Sequence, residues 1–290
     1  MVVIGQMVVS GAFIGLVYAL IAYGFQLTFS TSKSINFGQG ELVMLSSFFS
    51  LTLLNLGVPY WLMVPLGMSI GTVLGLFVER VAVRPALEQK SEGWILLTII
   101  FGLFGFSTAE NIWGRDDHPF PTPISSSPLH IIGISVTPIE ISIAGGVLIL
   151  MSLIEYLRRK TLFGKAFEAV SYDRDTAELM GISAQKTIMV SYALSGLVAA
   201  LAGILISPIT TVGPTMASAL ILKAFSVAVV SGLDSGFGVV LVGLFLGSLE
   251  SLASFYIGSG WREAPGLILL ILALAIRPNG LFGKPLVRKV

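Results

Sequence analysis

Long apolar segments recur along the whole chain, and this repetition limits the possible folds more than any other feature. A helix needs about 20 apolar residues to cross a hydrocarbon layer of about 30 Å. Stretches of about this length occur at residues 7–29, 37–57, 60–79, 94–113, 138–157, 187–207, 217–232, 236–257 and 264–276. Hydrophobic residues make up 54% of the chain and charged residues only 11%, against about 25% charged residues in ordinary globular proteins. The sequence therefore predicts an all-α, polytopic helical membrane protein with eight or nine transmembrane helices in one domain over residues 1–290.

The distribution of basic residues predicts the orientation of these spans, because basic residues in short loops favour the cytoplasmic side. With nine crossings and the N-terminus outside, the outer loops hold two basic residues, Arg115 and Arg262, and Lys223 lies within a span. The inner segments hold the other fourteen, which are Lys33, Arg80, Arg84, Lys90, Arg158, Arg159, Lys160, Lys165, Arg174, Lys186, Arg277, Lys284, Arg288 and Lys289. We expect a multi-pass protein of a bacterial or archaeal plasma (inner) membrane, with a cytoplasmic C-terminus. The outer loop at 114–137 is rich in proline and is expected to be irregular.

Composition and motifs exclude several functions. The 17 basic and 16 acidic residues give a net charge of +1, which argues against nucleic-acid binding. The absence of cysteine excludes disulfides, thiol catalysis and cysteine-ligated metals. The sequence contains no P-loop, since neither Gly164-Lys165 nor Gly283-Lys284 has a second glycine at the required earlier position. We therefore expect a protein that is not an enzyme and that has no catalytic residue, cofactor or bound metal.

The stretch SINFGQGE, residues 34–41, places the polar side chains of Asn36, Gln39 and Glu41 between two apolar runs. Irregular backbone at membrane depth persists only where protein or a water-filled cavity surrounds it, and broken helices of this kind line substrate paths in transporters. The stretch is also typical of a helix that starts at the cytoplasmic boundary, with Ser34 or Asn36 as its N-cap. The sequence leaves both interpretations open.

A second interruption lies in the other half of the chain, at residues 206–225. Pro208, Gly213 and Pro214 are expected to prevent a continuous helix there. Thr211 and Thr215 add hydroxyl groups to the same stretch. One interrupted segment in each half suggests broken or re-entrant segments in pseudo-symmetric halves, with a pathway between the halves.

Four ionisable side chains fall within the predicted spans, where charges are costly and often functional. They are Glu41, Glu110, Lys223 and Glu250. Glu110 lies near the outer end of its span, and Lys223 is long enough to extend towards a headgroup region. Glu250 lies near the middle of its span, so it is expected either to line a pathway or to make a hydrogen bond between helices.

Small residues four positions apart recur within the spans. The pairs are Gly11 and Gly15, Gly71 and Gly75, Ala199 and Gly203, and Gly243 and Gly247. This spacing lets helix backbones approach closely. We expect these pairs to mark helix-packing contacts.

The longest predicted cytoplasmic segment spans residues 158–187. Apolar residues recur there at helical spacing, among them Phe163 and Phe167. Asp173 is placed to cap a second short helix, and Gly181 is placed to end it. An amphipathic segment of this kind lies on the lipid surface or binds a groove on a partner protein.

Five segments, in order along nearly the whole chain, resemble permeases of the high-affinity branched-chain amino acid ABC importers, of the LivH type. They are NFGQGE at 36–41, ERVAVRP at 79–85, GKAFEAVSYDRDTAELMGI at 164–182, GPTMASALILKAFSVAVVSGL at 213–233 and RPNGLFG at 277–283. The third segment is the most specific, because it resembles the cytoplasmic coupling segment of that family. Gln39 departs from the family pattern, which usually has histidine at that position.

The resemblance implies a function and a set of partners. The chain is expected to be the membrane permease of an importer for branched-chain or other hydrophobic amino acids. It is expected to form a heterodimer with a second, LivM-like permease in the lipid bilayer, and to work with two cytoplasmic ATP-binding subunits and a soluble substrate-binding protein. Urea or short amides are an alternative substrate class, and an ion-driven secondary transporter is an alternative mechanism.

The resemblance and the polar interruptions together nominate two groups of residues. The substrate pathway is expected to include Asn36, Gln39, Glu41, Thr211, Thr215, Lys223 and Glu250. Coupling to the ATPase is expected to involve Phe163, Gly164, Phe167, Asp173, Arg174, Asp175, Glu178 and Gly181.

Overall fold

Helices form nearly all of the regular structure over residues 2–125, 127–131, 133–277 and 279–283, which a computed structural model describes. The elements in chain order are α1 (Val2–Ser32), α2 (Gln39–Asn55), α3 (Tyr60–Val78), α4 (Arg84–Glu88), α5 (Trp94–Trp113), β1 (Leu129–Ile131), β2 (Ile134–Val136), α6 (Pro138–Lys160), α7 (Leu162–Tyr172), α8 (Arg174–Leu179), α9 (Ala184–Thr210), α10 (Met216–Ser231), α11 (Gly236–Tyr256) and α12 (Ala264–Ile276). Each apolar segment predicted from the sequence coincides with one of these helices.

Seven spans in the described part of the chain are long and apolar enough to cross a membrane. One of them joins α3 to α4 through a π-helical turn at Glu79–Val83 and runs from Tyr60 to Glu88. The helices α2 and α10 have 17 and 16 residues, which corresponds to about 25 Å at 1.5 Å per residue. The prediction of a polytopic helical membrane protein is confirmed. The nine predicted segments include α2 and α10, which are not among the seven long spans.

The helices α1 and α9 form the centre of the molecule and are the most buried of the candidate spans in the described ranges. α1 packs against α6, α9, α10 and α11, and α9 packs against α2, α3 and α6. Glycines allow two of these close approaches, as their spacing predicted. A β-carbon at Gly15 would collide with the carbonyl oxygen of Gly243, and one at Gly75 would collide with that of Tyr192.

The loop between α5 and α6 is more regular than its prolines predicted. β1 and β2 pair antiparallel, with Leu129 opposite Val136. Gln6 of α1 holds this hairpin, because its side chain donates to the carbonyl oxygen of Ser135 and accepts from its N–H, both at 2.7 Å. The hairpin was missed because its strands are only three residues long.

The orientation of the chain across the membrane stays a prediction. Three of the basic residues that support it, Lys284, Arg288 and Lys289, lie outside the described residues. Pro278, in the segment at 277–283 that resembles the end of the family, lies outside them as well.

Candidate translocation path and coupling surface

The irregular stretch at 34–38 runs between helices, inside the bundle. Gln39, the first residue of α2, packs beside Gly24 of α1. Gly24 lies eight residues before the end of α1, so the chain returns along α1 over about 12 Å at 1.5 Å per residue. Asn36 and Gln39 are fully buried. The turn at 34–38 is thus irregular backbone that protein surrounds. This arrangement is expected if residues 34–41 interrupt a membrane-spanning segment.

The polar side chains of this turn satisfy one another and the neighbouring helices. Asn36 Oδ1 accepts a hydrogen bond from the Gly38 N–H at 3.0 Å, and Asn36 Nδ2 donates to Gln39 Oε1 at 3.3 Å. Ser195 Oγ of α9 lies 3.0 Å from both Gln39 Oε1 and the Gly24 carbonyl oxygen, within donating distance of each. Gln39 therefore joins the start of α2 to the middle of α9, and Ser195 is also within hydrogen-bond distance of Gly24 of α1.

α2 begins without a side-chain cap. Its N-cap position is Gly38, so neither Ser34 nor Asn36 is the cap that one of the two interpretations of the sequence required. Glu41 lies in the first turn of α2, where the helix dipole favours a carboxylate. Its carboxyl carbon packs against α5, 3.1 Å from the position of a β-carbon built on Gly102. Glu41 Oε2 is buried and has no hydrogen-bond partner among the residues that the structure describes.

The second interruption is shorter than predicted. The helix is interrupted within 206–225 as predicted, but not by Pro208, because α9 continues through Pro208 and ends at Thr210. A proline this close to the end of a helix removes only one internal hydrogen bond, and the helix stops two residues later. The break proper covers 211–215. Thr211 has a φ of +73°, and Val212 exchanges two backbone hydrogen bonds of 2.8 Å with His118 of the outer loop.

A cavity of about 230 Å³ lies beside this break. We call it the outer cavity because the loop that contains the break is predicted to lie outside. Apolar side chains of α1, α9 and α10 form much of its wall, and Thr211, Thr215 and Lys223 add polar groups. Three of the predicted pathway residues are therefore brought together. Glu250 lines a neighbouring cavity of about 310 Å³, and the three predicted residues of the turn at 34–41 line neither cavity.

Lys223 and Glu250 form a buried ion pair between α10 and α11. Lys223 Nζ lies 3.3 Å from Glu250 Oε2, and the two side chains are 11% and 2% exposed. The Tyr18 hydroxyl of α1 donates to the same carboxylate oxygen at 3.0 Å. Glu250 thus makes a contact between helices, which was one of the two roles expected from the sequence. It also lines a cavity. Glu110 lies apart from this cluster and pairs with Arg115 near the C-terminal end of α5.

The segment predicted to be cytoplasmic forms two short helices, each with a side-chain cap. Thr161 Oγ1 accepts from the Gly164 N–H at 3.2 Å at the start of α7. Asp173 Oδ1 accepts from the Thr176 N–H at 3.0 Å at the start of α8, which confirms the expected cap. Gly181, with a φ of +84°, follows the end of α8 as predicted.

The two phenylalanines nominated as anchors for the ATPase pack against the chain itself. Phe167 is buried, and Phe163 packs partly buried against the same core. Both line a small apolar cavity beside Leu27 of α1 and Leu194 of α9. The Arg158 guanidinium lies over the Phe167 ring, 5.6 Å from its centroid. These phenylalanines therefore connect α7 to the membrane helices.

Other apolar side chains of the segment, which were not nominated for coupling from the sequence, are exposed. Leu162, Tyr172, Leu179 and Met180 are each about four-fifths exposed or more. The charged residues nominated for coupling lie nearby on α8, where Arg174 forms an ion pair of 3.5 Å with Glu178, and Asp175 is exposed. The helical spacing showed apolar residues on the segment, but it did not show which of them face the rest of the chain.

These observations define a class of protein, a polytopic helical transport protein. Membrane helices surround a buried polar turn and a cavity, and an amphipathic segment follows the last turn of α6. A family model described as "Branched-chain amino acid transport system / permease component" matches residues 7–276. The chain belongs to this family of permeases, as its motifs predicted.

Individual relatives agree over nearly the full length. The chain is 29% identical to the high-affinity branched-chain amino acid transport system permease protein LivH of Salmonella typhimurium, over 98% of this chain and 97% of the relative. It is 29% identical to the permease protein BraD of Pseudomonas aeruginosa, over the same shares. The relatives are transport permeases, not enzymes. A solved structure titled "PsaBC from Streptococcus pneumoniae in complex with Fab" has a similar fold, with a TM-score of 0.50, 11% identity, and coverage of 93% of this chain and 91% of that one.

Proposed function

We propose that this chain is the permease subunit of an ABC importer and carries branched-chain or other hydrophobic amino acids across the plasma membrane. The observation that carries this proposal is the family match over residues 7–276, with relatives named for branched-chain amino acid transport. The outer cavity supports it, because apolar walls with a few polar groups suit a small and partly apolar solute. The same apolar lining favours hydrophobic amino acids over urea.

The partners follow from the energy source. The sequence contains no P-loop, so the free energy for uphill transport has to come from other subunits. We propose a heterodimer with a second, LivM-like permease, two cytoplasmic ATP-binding subunits, and a soluble substrate-binding protein outside. The N-terminus then lies outside and the segment at 158–187 lies in the cytoplasm, as the basic residues predict.

Coupling is proposed to run through α7 and α8. The exposed Leu179 and Met180 provide apolar contacts for an ATPase subunit, and Asp175 and Arg174 provide charges that set its register. The buried side of α7 contacts α1, α6 and α9, with Phe167 in the contact. A displacement of α8 by the closing ATPase pair therefore reaches the central helices as a rigid-body movement.

The substrate path is proposed to run from the outer cavity towards the turn at 34–41. Lys223 of α10 lines the outer cavity, and α10 also packs against α2 next to that turn. A β-carbon built on Gly40 lies 2.6 Å from the Ala217 carbonyl oxygen, so the start of α2 contacts the start of α10 directly. Movement of α10 relative to α2 would open the path at this contact, beside Glu41.

The experiment that tests this function is reconstitution of the complete importer in proteoliposomes. We expect ATP-dependent, vanadate-sensitive uptake of labelled leucine, isoleucine and valine, and weaker uptake of labelled urea and acetamide. Uptake that needs an ion gradient and no ATP would refute the ABC mechanism. ATP-dependent uptake of urea without uptake of leucine would refute the substrate assignment alone.

A further inference from the structure

The Lys223–Glu250 ion pair lies between two cavities. Lys223 lines the outer cavity, Glu250 lines the neighbouring cavity, and Arg262 lines both. Lys223 and Glu250 are 3.3 Å apart. The buried Lys223–Glu250 pair thus lies where the two cavities meet, and the exposed Arg262 faces both of them. The outer cavity also contains a second carboxylate, that of Asp117.

One oxygen of this cluster is unsatisfied. Glu250 Oε2 pairs with Lys223 and accepts from the Tyr18 hydroxyl. Glu250 Oε1 is buried and has no hydrogen-bond partner among the described residues, and Glu250 as a whole is 1% exposed. Buried carboxylate oxygens almost always have a partner, and an exception is expected where a ligand completes the set.

The requirements of helix packing do not explain this arrangement. The close backbone contact of α11 is made with α1, through glycines at 15 and 243 and without charges, whereas the ion pair lies on the side of α11 that faces α10. A buried ion pair is a poor way to gain stability, because removing both charges from water offsets most of their attraction. Ionisable groups inside a membrane bundle are retained mainly on substrate or ion paths.

We propose that this cluster recognises the zwitterionic main chain of an α-amino acid, an inference that rests on the proposed function. Lys223 and Arg262 receive the α-carboxylate, and Glu250 receives the α-ammonium group through its unsatisfied oxygen. The substrate separates Lys223 from Glu250 and gives each a partner of opposite charge. The apolar side chain lies against the apolar wall of the outer cavity, which includes Ile206 and Leu220.

This arrangement makes the permease selective in its own right. The two charged groups are already buried and held by neighbouring helices, so an amino acid replaces one ion pair with two. A solute that carries only one of the two charges leaves Lys223 or Glu250 without a partner, and the site rejects it. The site therefore distinguishes leucine from leucinamide, which lacks the carboxylate, and from 4-methylpentanoate, which lacks the ammonium group.

The first test measures binding of labelled leucine to the assembled permeases and ATPase subunits in nanodiscs, without the binding protein. We expect unlabelled leucine to compete at least tenfold better than leucinamide or 4-methylpentanoate. No detectable binding of leucine, or equal competition by all three compounds, would overturn the proposal. This measurement needs no variant and is independent of any effect on folding.

Variants test the assignment of residues. Lys223→Met and Glu250→Gln are each expected to weaken leucine binding at least tenfold. The matched control is Glu110→Gln, which removes an ion pair of the same 3.3 Å length outside both cavities, and it is expected to bind leucine within twofold of the unchanged protein. Equal losses in all three variants would overturn the assignment.

The charge-exchanged double variant Lys223→Glu with Glu250→Lys separates recognition from packing. It retains an ion pair between α10 and α11 but exchanges the positions of the two charges. We expect its thermal stability to exceed that of either single variant while leucine binding remains weak. Full recovery of leucine binding would show that the pair serves packing alone.

Uptake by the complete importer distinguishes the two possible failures. Leucine uptake with no discrimination among the three compounds in nanodiscs would refute the recognition site and leave the proposed function intact. ATP-dependent transport of another solute without leucine uptake would refute the proposed function, and this inference with it.

Discussion

The exposed end of α8 allows a quantitative test of coupling. Leu179 is 88% exposed, so nearly all of the roughly 1.5–3 kcal/mol that burial of a leucine side chain contributes is available to a partner. Aspartate at this position removes that contribution. Because 1.4 kcal/mol corresponds to a factor of ten, we expect Leu179→Asp to weaken binding of the ATPase subunits about 10- to 100-fold. The free energy of unfolding of the permease should change by less than about 0.5 kcal/mol, as for other exposed substitutions.

The assay is a titration of purified ATPase subunits onto the permease heterodimer in nanodiscs, with the dissociation constant as the readout. The matched control is Leu56→Asp, since Leu56 is 75% exposed and follows α2 at the predicted outer surface. Unchanged affinity in Leu179→Asp would refute the proposed coupling surface. An equal loss in both variants would show that the effect comes from contact with lipid.

Three further predictions follow from other contacts. Phe167→Ala should lower the free energy of unfolding by about 3–5 kcal/mol, because the ring is buried, and chemical denaturation in detergent measures this. Gly15→Ala should cost about 1–3 kcal/mol through overpacking against the backbone of α11. In thermal unfolding, Gly145→Ala serves as its control because a β-carbon there meets open space. Glu41→Gln should lower leucine uptake at an unchanged amount of protein in the membrane. Normal uptake would limit Glu41 to packing against Gly102.

Local features of the sequence were sufficient to locate the helices and some of their ends. Residues 94–113 were predicted as a span, and α5 has the same bounds. Asp173 was predicted as a cap, and its carboxylate accepts from the N–H of Thr176. These predictions succeed because a membrane helix is defined by the length of its apolar run, and a cap depends only on residues three positions apart.

The contacts of the candidate site were decided by the tertiary structure. The sequence identified Lys223, Glu250 and Phe167, but it contained no sign that the first two pair with each other or that the third faces the membrane helices. The physical reason is that lipid and protein are both apolar surroundings for a membrane helix, so hydrophobicity does not specify which of its faces packs inward. That choice depends on small residues and polar partners on other helices, as in the contact of Gln39 with Ser195 of α9, and only the assembled bundle brings them together.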